Sequence, residues 1–164
     1  MRIVEVSVAA ILWSSASGCA STYHPVNSPR LSVVMDGGGI SYVRDGKRFE
    51  GGLFGGELDK AVQGNSRAEE YASSFKTGMI TGFALGLVGA GTAIVGASVF
   101  GADAANHPGG QSVPPTGLVI LGAGLLIDII GGAIELGALP NFYDAINAYN
   151  DSVLPSSSPA AAGR

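Results

Sequence analysis

Two long stretches with few or no charged residues constrain this chain more than any other feature. No charged residue occurs from Thr77 to Phe100, and the stretch Gly117–Leu139 carries only two carboxylates, Asp128 and Glu135. A helix rises about 1.5 Å per residue, so each stretch is long enough to cross a hydrocarbon layer of about 30 Å. We therefore expect a membrane α-helical hairpin of two transmembrane helices, preceded by a small N-terminal β-hairpin segment and followed by a C-terminal interfacial helix.

Composition and charge exclude several functional classes. Charged residues make up 13% of the chain, against roughly 25% in globular proteins. From Ala20 to Lys76 seven basic residues are balanced by seven acidic ones, and no further Lys or Arg occurs until Arg164, so the sequence has no basic patch of the kind that nucleic acid requires. The one cysteine, Cys19, cannot form an internal disulfide or a cysteine-rich zinc site. We predict no enzyme activity, cofactor or metal, and no nucleic-acid partner.

Glycine is frequent, with 26 residues, and three of these glycines lie four residues apart in the first stretch: Gly78, Gly82 and Gly86. Helices in lipid associate by close backbone contact, which glycine permits. We predict a packing seam along these glycines, either with the second helix or with another copy of the chain. The alternative is that glycine is simply common in membrane helices.

Asp128 lies at the middle of the second stretch, and Glu135 follows seven residues later on the same helical face. A charge at the centre of a bilayer costs roughly 2.5–3.5 kcal/mol, so intramembrane acids usually face a partner or a pathway. The plain interpretation is hydrogen bonding to hydroxyls of the first helix, namely Thr77, Thr81, Thr92 or Ser98.

Two glycine-rich helices with an acid midway along the second also resemble the proton-carrying ring subunit of rotary ATP synthases. That resemblance covers the helical hairpin alone and implies an oligomer that translocates ions through Asp128. The chain departs from that family in its N-terminal signal, in its second acid, and in a connector that has no basic residues.

The first 18 residues have the order of a secretory signal: Arg2, an apolar run from Ile3 to Trp13, and then small residues. The sequence Ala16-Ser17-Gly18-Cys19 resembles the bacterial lipobox, with Ala16 at the position usually held by leucine. The resemblance implies lipidation of Cys19 and a bacterial cell membrane or outer membrane location, with the N-terminal segment extracytoplasmic. The alternative is a first strand or helix with a buried cysteine.

Residues 19–65 form the predicted extracytoplasmic segment. Leu31–Met35, Ile40–Val43 and Lys47–Phe49 are strand-like, and Asp45-Gly46 favours a β-hairpin turn. The glycines at 37–39 lack the Lys-Ser/Thr ending of a phosphate-binding loop. So few residues cannot bury a large core, and we expect this segment to depend on the membrane or on a partner.

The rest of the chain is predicted to be helical up to a short tail. Ser66-Arg67-Ala68-Glu69 has capping-box spacing and begins a hairpin over 66–139, with spans at 77–100 and 117–139. Pro140 is expected to end the second span. An amphipathic interfacial helix then covers 140–154, and residues 155–164 are expected to be disordered. The apolar face of that helix would comprise Phe142, Tyr143, Ile146, Tyr149 and Val153.

Three stretches together resemble uncharacterised lipoproteins of myxobacterial-type genomes: Leu31-Ser32-Val33-Val34, Tyr42-Val43-Arg44-Asp45-Gly46, and Asp144 to Asn150. The resemblance implies the same placement and no activity. We therefore predict an envelope lipoprotein with a structural or interaction role. Its partners would be the lipid bilayer and either a second copy or another envelope protein. The alternatives are ion translocation by an oligomer and a periplasmic binding module.

Overall fold

The computed structural model of the chain describes residues 27–36, 39–107, 112 and 114–154. A three-stranded sheet comes first, formed by β1 (Ser32–Asp36), β2 (Gly39–Arg44) and β3 (Lys47–Glu50). A 3-10 turn at Leu53–Gly55 and the short helix α1 (Leu58–Ala61) follow. Two long helices complete the fold, α2 (Ser66–Asn106) and α3 (Thr116–Val153).

The sheet is antiparallel in the order β1-β2-β3. Tyr42 pairs with Val33 on one side and with Phe49 on the other. Asp45 and Gly46 join β2 to β3 and both have positive φ, 52° and 73°. Two positive φ angles in a two-residue loop match the twist of the flanking strands, so the predicted Asp-Gly hairpin is confirmed.

The described residues fall into two compact units. The sheet unit comprises the residues up to Ala72 and from Asp144 onward, and the helix unit comprises Ser73–Tyr143. The core of the sheet unit contains side chains of the sheet and α1 together with side chains from both long helices: Leu31, Val34, Tyr42, Phe49, Leu58, Ala61, Val62, Ala68, Ala72, Ala145, Ile146 and Tyr149. The small sheet therefore packs on helix ends of its own chain.

The α2 helix is capped one residue earlier than the predicted capping box. The Asn65 side-chain oxygen accepts a hydrogen bond from the Ala68 N–H at 3.0 Å, and Glu69 accepts one from the Gly64 N–H at 2.8 Å. The Asn65 amide also donates to the Ala148 carbonyl at 3.1 Å. Asn65 thus caps α2, which begins at Ser66, and joins it to α3, so the predicted role of Ser66 as the cap is wrong.

The C-terminal interfacial helix predicted for residues 140–154 is not a separate element. The α3 helix contains Pro140 in its interior and continues to Val153. Proline removes one backbone donor and is tolerated within long helices whose other hydrogen bonds persist. Beyond it, Ile146 and Tyr149 are buried in the sheet unit, so their apolar face packs on protein.

Several predictions fall on residues outside those described. They concern the signal at 1–18, the lipidated Cys19 and the tail at 155–164. These remain predictions from the sequence.

Candidate functional site

Glycines lie where the two helices of the helix unit approach each other. A Cβ atom added to Gly82 would lie 2.6 Å from the Gly131 carbonyl oxygen, and one added to Gly131 would lie 2.6 Å from the Gly82 oxygen. Gly89 and Gly124 oppose each other in the same way, with both distances 2.7 Å. Real Cβ atoms do not approach backbone atoms so closely, so only glycine permits this packing.

The pattern behind these contacts has a period of seven residues. Gly82, Gly89 and Gly96 on α2 face α3, and Gly117, Gly124 and Gly131 on α3 face α2. A seven-residue repeat keeps one face toward the partner when the helices wind around each other with a left-handed twist. The seven-residue spacing is present in the sequence, from which we predicted the seam along the four-residue spacing of Gly78, Gly82 and Gly86 instead.

The three glycines singled out from the sequence occupy different positions. Gly82 lies in the contact, and a Cβ on Gly78 would lie 2.7 Å from the Ala138 Cβ. A Cβ on Gly86 would meet only the Asp128 Oδ1, at 3.4 Å. All three glycines therefore face the second helix of the same chain, and Gly86 lies at the edge of the contact.

The large apolar side chains of the helix unit point away from the contact. Gly82, Gly89, Gly96, Gly117, Gly124 and Gly131 are buried. Leu87, Ile94, Val119, Ile129 and Leu136 are between 60% and 69% exposed. Only 11% of the most apolar window of α2 is buried, and only 17% of that of α3. The core helix of a soluble protein would be mostly buried. Both helices are long and apolar enough to span a membrane.

Asp128 and Glu135 lie beside the glycine contact. The Asp128 carboxylate is near Gly86 and is exposed, whereas Glu135 is half-buried with its Cγ 2.5 Å from the Cβ position of Gly82. Neither carboxylate forms a hydrogen bond or an ion pair with any residue of the described ranges. Both acidic side chains therefore lie beside glycines of α2, Asp128 beside Gly86 and Glu135 beside Gly82.

The hydroxyls proposed as partners for these acids bond within their own helix. Thr92 donates to the Val88 carbonyl and Ser98 to the Ile94 carbonyl, both at 2.8 Å. No hydrogen bond joins Thr77 or Thr81 to either acid in the described part of the chain. The predicted hydrogen bonds from Asp128 and Glu135 to α2 hydroxyls are therefore wrong.

Arg44 joins separate elements within the sheet unit. Its guanidinium donates to the Ala61 carbonyl at 2.7 Å and to the Gln63 carbonyl at 3.1 Å. The same group lies 5.1 Å from the ring centroid of Tyr149 and 5.5 Å from that of Phe49. A planar guanidinium can stack on rings while donating in its plane, which an ammonium group cannot do. Arg44 therefore fixes β2 against α1 and the end of α3.

Tyr42 is the most deeply buried polar side chain of the sheet, 1% exposed, and its hydroxyl donates to the Gly55 carbonyl at 3.1 Å. Burial raises the pKa of Tyr42 to about 12. The hydrogen bond ties the sheet to the glycine-rich turn at Leu53–Gly55, where Phe54 has a positive φ of 61°.

The described ranges contain no cluster of three or more His, Cys, Asp or Glu side chains that could hold a metal ion. His107 bonds through Nδ1 to the Asp103 carbonyl oxygen at 2.8 Å, within one helical turn. A shallow open depression on the sheet unit is lined by Asp59, Lys60, Gln63 and Glu69.

The chain matches no protein-family model, no curated protein and no solved structure.

Proposed function

We propose that this protein is a membrane-anchored envelope protein with a structural or interaction role. In this proposal the helix unit crosses a lipid bilayer twice, and the sheet unit is the folded part exposed to water. The observation that carries the proposal is the arrangement of the helix unit, in which glycines are buried while leucine, isoleucine and valine side chains are exposed.

The exposure of these apolar side chains favours lipid over water. Large exposed apolar patches on a protein mark surfaces that contact a partner or a membrane. The helix unit exposes large apolar side chains along both of its helices, from Ile80 to Leu139. In a bilayer each central Leu, Ile or Val contributes roughly −0.3 to −0.6 kcal/mol, which offsets the roughly 2.5–3.5 kcal/mol that an acid such as Asp128 costs.

The path of the chain is consistent with two crossings. The sheet unit is built from residues before Ser73 and after Tyr143, on either side of the helix unit in sequence. A chain that crosses a bilayer twice returns to the side from which it started. The two parts of the sheet unit can therefore meet on one side of the membrane.

We further propose that Cys19 is lipidated after cleavage of residues 1–18, as the lipobox-like sequence predicts. Lipidation would place the sheet unit on the extracytoplasmic side of the bacterial cell membrane or the outer membrane. The lipid and the two spans would then both hold the chain to the membrane.

Alkaline extraction of membranes tests the anchor. The full-length protein and the Cys19→Ala variant should both remain in the pelleted membranes, because the helices hold the chain without the lipid. A variant in which residues 73–143 are replaced by a flexible linker should be released if it also lacks Cys19. Recovery of the Cys19→Ala protein in the supernatant would contradict the proposal. The mature mass of the native protein tests cleavage and acylation separately.

Ion translocation by an oligomer is a second candidate function, and it rests on one observation. Asp128 is exposed on an apolar helix surface without a partner in the described ranges, as a protonatable carrier group would be. A hydrophobic carbodiimide should then label Asp128 rapidly and in a pH-dependent manner, and Asp128→Asn should abolish that labelling. Absence of labelling in the native protein would remove this candidate.

A further inference from the structure

Asp128 is a charged group on an otherwise apolar surface of α3. Its side chain is exposed, and it forms no hydrogen bond or ion pair with any residue that the structure describes. The neighbouring side chains on this surface are apolar: Leu125 is 50% exposed and Ile129 is 66% exposed. In the bilayer of the proposed function this surface faces hydrocarbon, where an isolated carboxylate is costly. Among the described residues, Asp128 therefore lacks the neutralising partner that intramembrane acids usually have.

The lack of a side chain at Gly86 leaves this carboxylate open. A Cβ built on Gly86 would lie 3.4 Å from the Asp128 Oδ1, with no other atom within 4 Å, so a larger side chain at this position would cover the carboxylate. Glu135 differs, because it is half-buried and its Cγ lies 2.5 Å from the Cβ position of Gly82, inside the helix contact. Asp128 is therefore the more accessible of the two acids.

The two helices of this chain carry no cation at the depth of Asp128. No Lys, Arg or His occurs between Lys76 and His107, and none occurs along α3. Lys76 precedes Gly86 by ten residues, which is about 15 Å along the axis of α2. A second copy inserted in the same orientation would place its own Lys76 just as far away. Neither these helices nor those of a second copy therefore offer Asp128 a base.

We propose that Asp128 is the contact point for a transmembrane helix of a different envelope protein, one that carries a lysine or arginine at the same depth. Charge complementarity selects this partner, because the carboxylate is exposed and unpaired and the helices of this chain supply no opposite charge. Opposite charges attract more strongly in a medium of low dielectric constant than in water, and charged residues inside membranes pair with one another.

The inference rests on the proposed function, because it requires that α3 crosses a bilayer, and it adds the chemistry of the partner. It also competes with ion translocation. A base held at Asp128 would occupy the carboxylate that an ion carrier needs to be free.

Model transmembrane peptides test the partner chemistry. The full-length protein, fused to a fluorescent donor after Arg164, is reconstituted in phosphatidylcholine vesicles with an acceptor-labelled peptide. The peptide is a leucine and alanine span with one arginine at its centre, and matched peptides carry leucine there or have the arginine at one end. One interhelical polar pair is enough to change affinity about tenfold. The central-arginine peptide should therefore bind about tenfold more tightly than either matched peptide.

Substitutions in the helix unit locate the contact. Asp128→Asn removes the charge with little change in size, so the preference for the central-arginine peptide should disappear. Glu135→Gln is the matched control, because it removes the other carboxylate of α3 and should leave the preference unchanged. Gly86→Leu should also abolish the preference, since its side chain would cover Asp128. Circular dichroism verifies that each variant keeps its helices.

Three results would overturn the proposal. One is equal binding of the central-arginine and central-leucine peptides to the wild-type protein. Another is a preference for arginine that Asp128→Asn leaves unchanged or that Glu135→Gln abolishes. The third is self-association without any peptide that Asp128→Asn abolishes, which would assign Asp128 to a contact with a second copy. Alkaline extraction reads out the spans separately, so failure of this proposal is distinguishable from failure of the proposed function.

Discussion

The side-chain amide of Asn150 forms two hydrogen bonds with the backbone of Leu31, 119 residues earlier in the chain: its Oδ1 accepts from the Leu31 N–H at 2.7 Å and its Nδ2 donates to the Leu31 carbonyl at 3.1 Å. The amide thereby takes the place of a neighbouring strand at the start of β1. It connects the last turns of α3 to the sheet.

The first prediction follows from this pair. Asn150→Ala leaves two partly buried backbone groups of Leu31 without their partner, which costs about 1–3 kcal/mol. The amide protons of β1 should exchange faster by the corresponding factor, as measured by hydrogen-exchange mass spectrometry in detergent. Asn147→Ala is the matched control, because Asn147 is exposed on the same helix and should change exchange little. Equal exchange in both variants would show that the Asn150 pair contributes nothing.

The glycine contact gives a second prediction. A Cβ on Gly89 would lie 2.5 Å from the Asp128 backbone nitrogen, whereas one on Gly91 would have no atom within 4 Å. Gly89→Ala should therefore destabilise the helix unit by about 1–3 kcal/mol through overpacking. Gly91→Ala should be neutral or stabilising by up to about 1 kcal/mol, since alanine favours helix. Unfolding by dodecyl sulfate in mixed micelles measures both, and a destabilised Gly91→Ala variant would contradict the assignment of the contact face.

A third prediction concerns alkaline pH. The pKa of Tyr42 is raised to about 12 in the folded chain, against about 10 for an unperturbed tyrosine. Below pH 10 both states keep the proton, so the stability of the sheet unit is unaffected. Between about pH 10 and 12 the unfolded chain loses the proton first, and stability falls with rising pH, by at most about 3 kcal/mol.

The Tyr42→Phe variant isolates this effect. Phenylalanine cannot ionise, so the difference in stability between wild type and variant should narrow or reverse as pH rises from 9 to 11.5. The hydroxyl's hydrogen bond to Gly55 favours wild type at neutral pH, by about 0.5–1.5 kcal/mol. Tyr143→Phe is the control, because Tyr143 is 62% exposed. A pH-independent difference between wild type and Tyr42→Phe would count against the buried phenol.

A fourth prediction separates charge from shape at Arg44. Arg44→Lys keeps the charge but loses the planar group that lies over the rings of Phe49 and Tyr149 while it donates to two carbonyls. We expect a loss of about 1–3 kcal/mol in the sheet unit, read from amide exchange of β2 and β3. Arg30→Lys on the exposed approach to β1 should have no measurable effect. If Arg44→Lys also has none, the stacking does not contribute to stability.

A truncation gives a fifth prediction. Ala145, Ile146 and Tyr149 are buried with the sheet, so a chain ending at Tyr143 lacks part of the core of the sheet unit. Its strands should lose their protected amides, while the helix unit keeps its helical signal in detergent.

A segment from Ala20 to Asn65 expressed alone should likewise fail to fold. That result would argue against a periplasmic binding module, the alternative in which this segment folds alone. Protected β-sheet amides in either fragment would contradict this account.

The sequence determined the features that depend on neighbouring residues. The uncharged stretch from Thr77 to Phe100 predicts a long apolar helix, because its number of residues is enough for a helix that crosses a membrane. The structure places this whole stretch within α2. Asp45-Gly46 predicts the β2–β3 turn because the backbone angles of a two-residue loop are a local property. The seven-residue glycine repeat is also present in the sequence, although the predicted seam followed the four-residue spacing from Gly78 instead.

Only the tertiary structure decided which residues distant in sequence meet. Pro140 is a local helix-breaking signal, yet α3 continues through it, because the helix on both sides is packed: Ala138 against Gly78, and Ile146 in the sheet unit. The sequence likewise did not predict the partner of Leu31, since no local pattern identifies Asn150 as the residue whose side chain hydrogen-bonds to the backbone at the start of β1. Long-range packing overrides the helix-breaking preference of Pro140. The Asn150 side chain satisfies the backbone N–H and carbonyl of Leu31, which neighbouring residues leave without a hydrogen-bond partner.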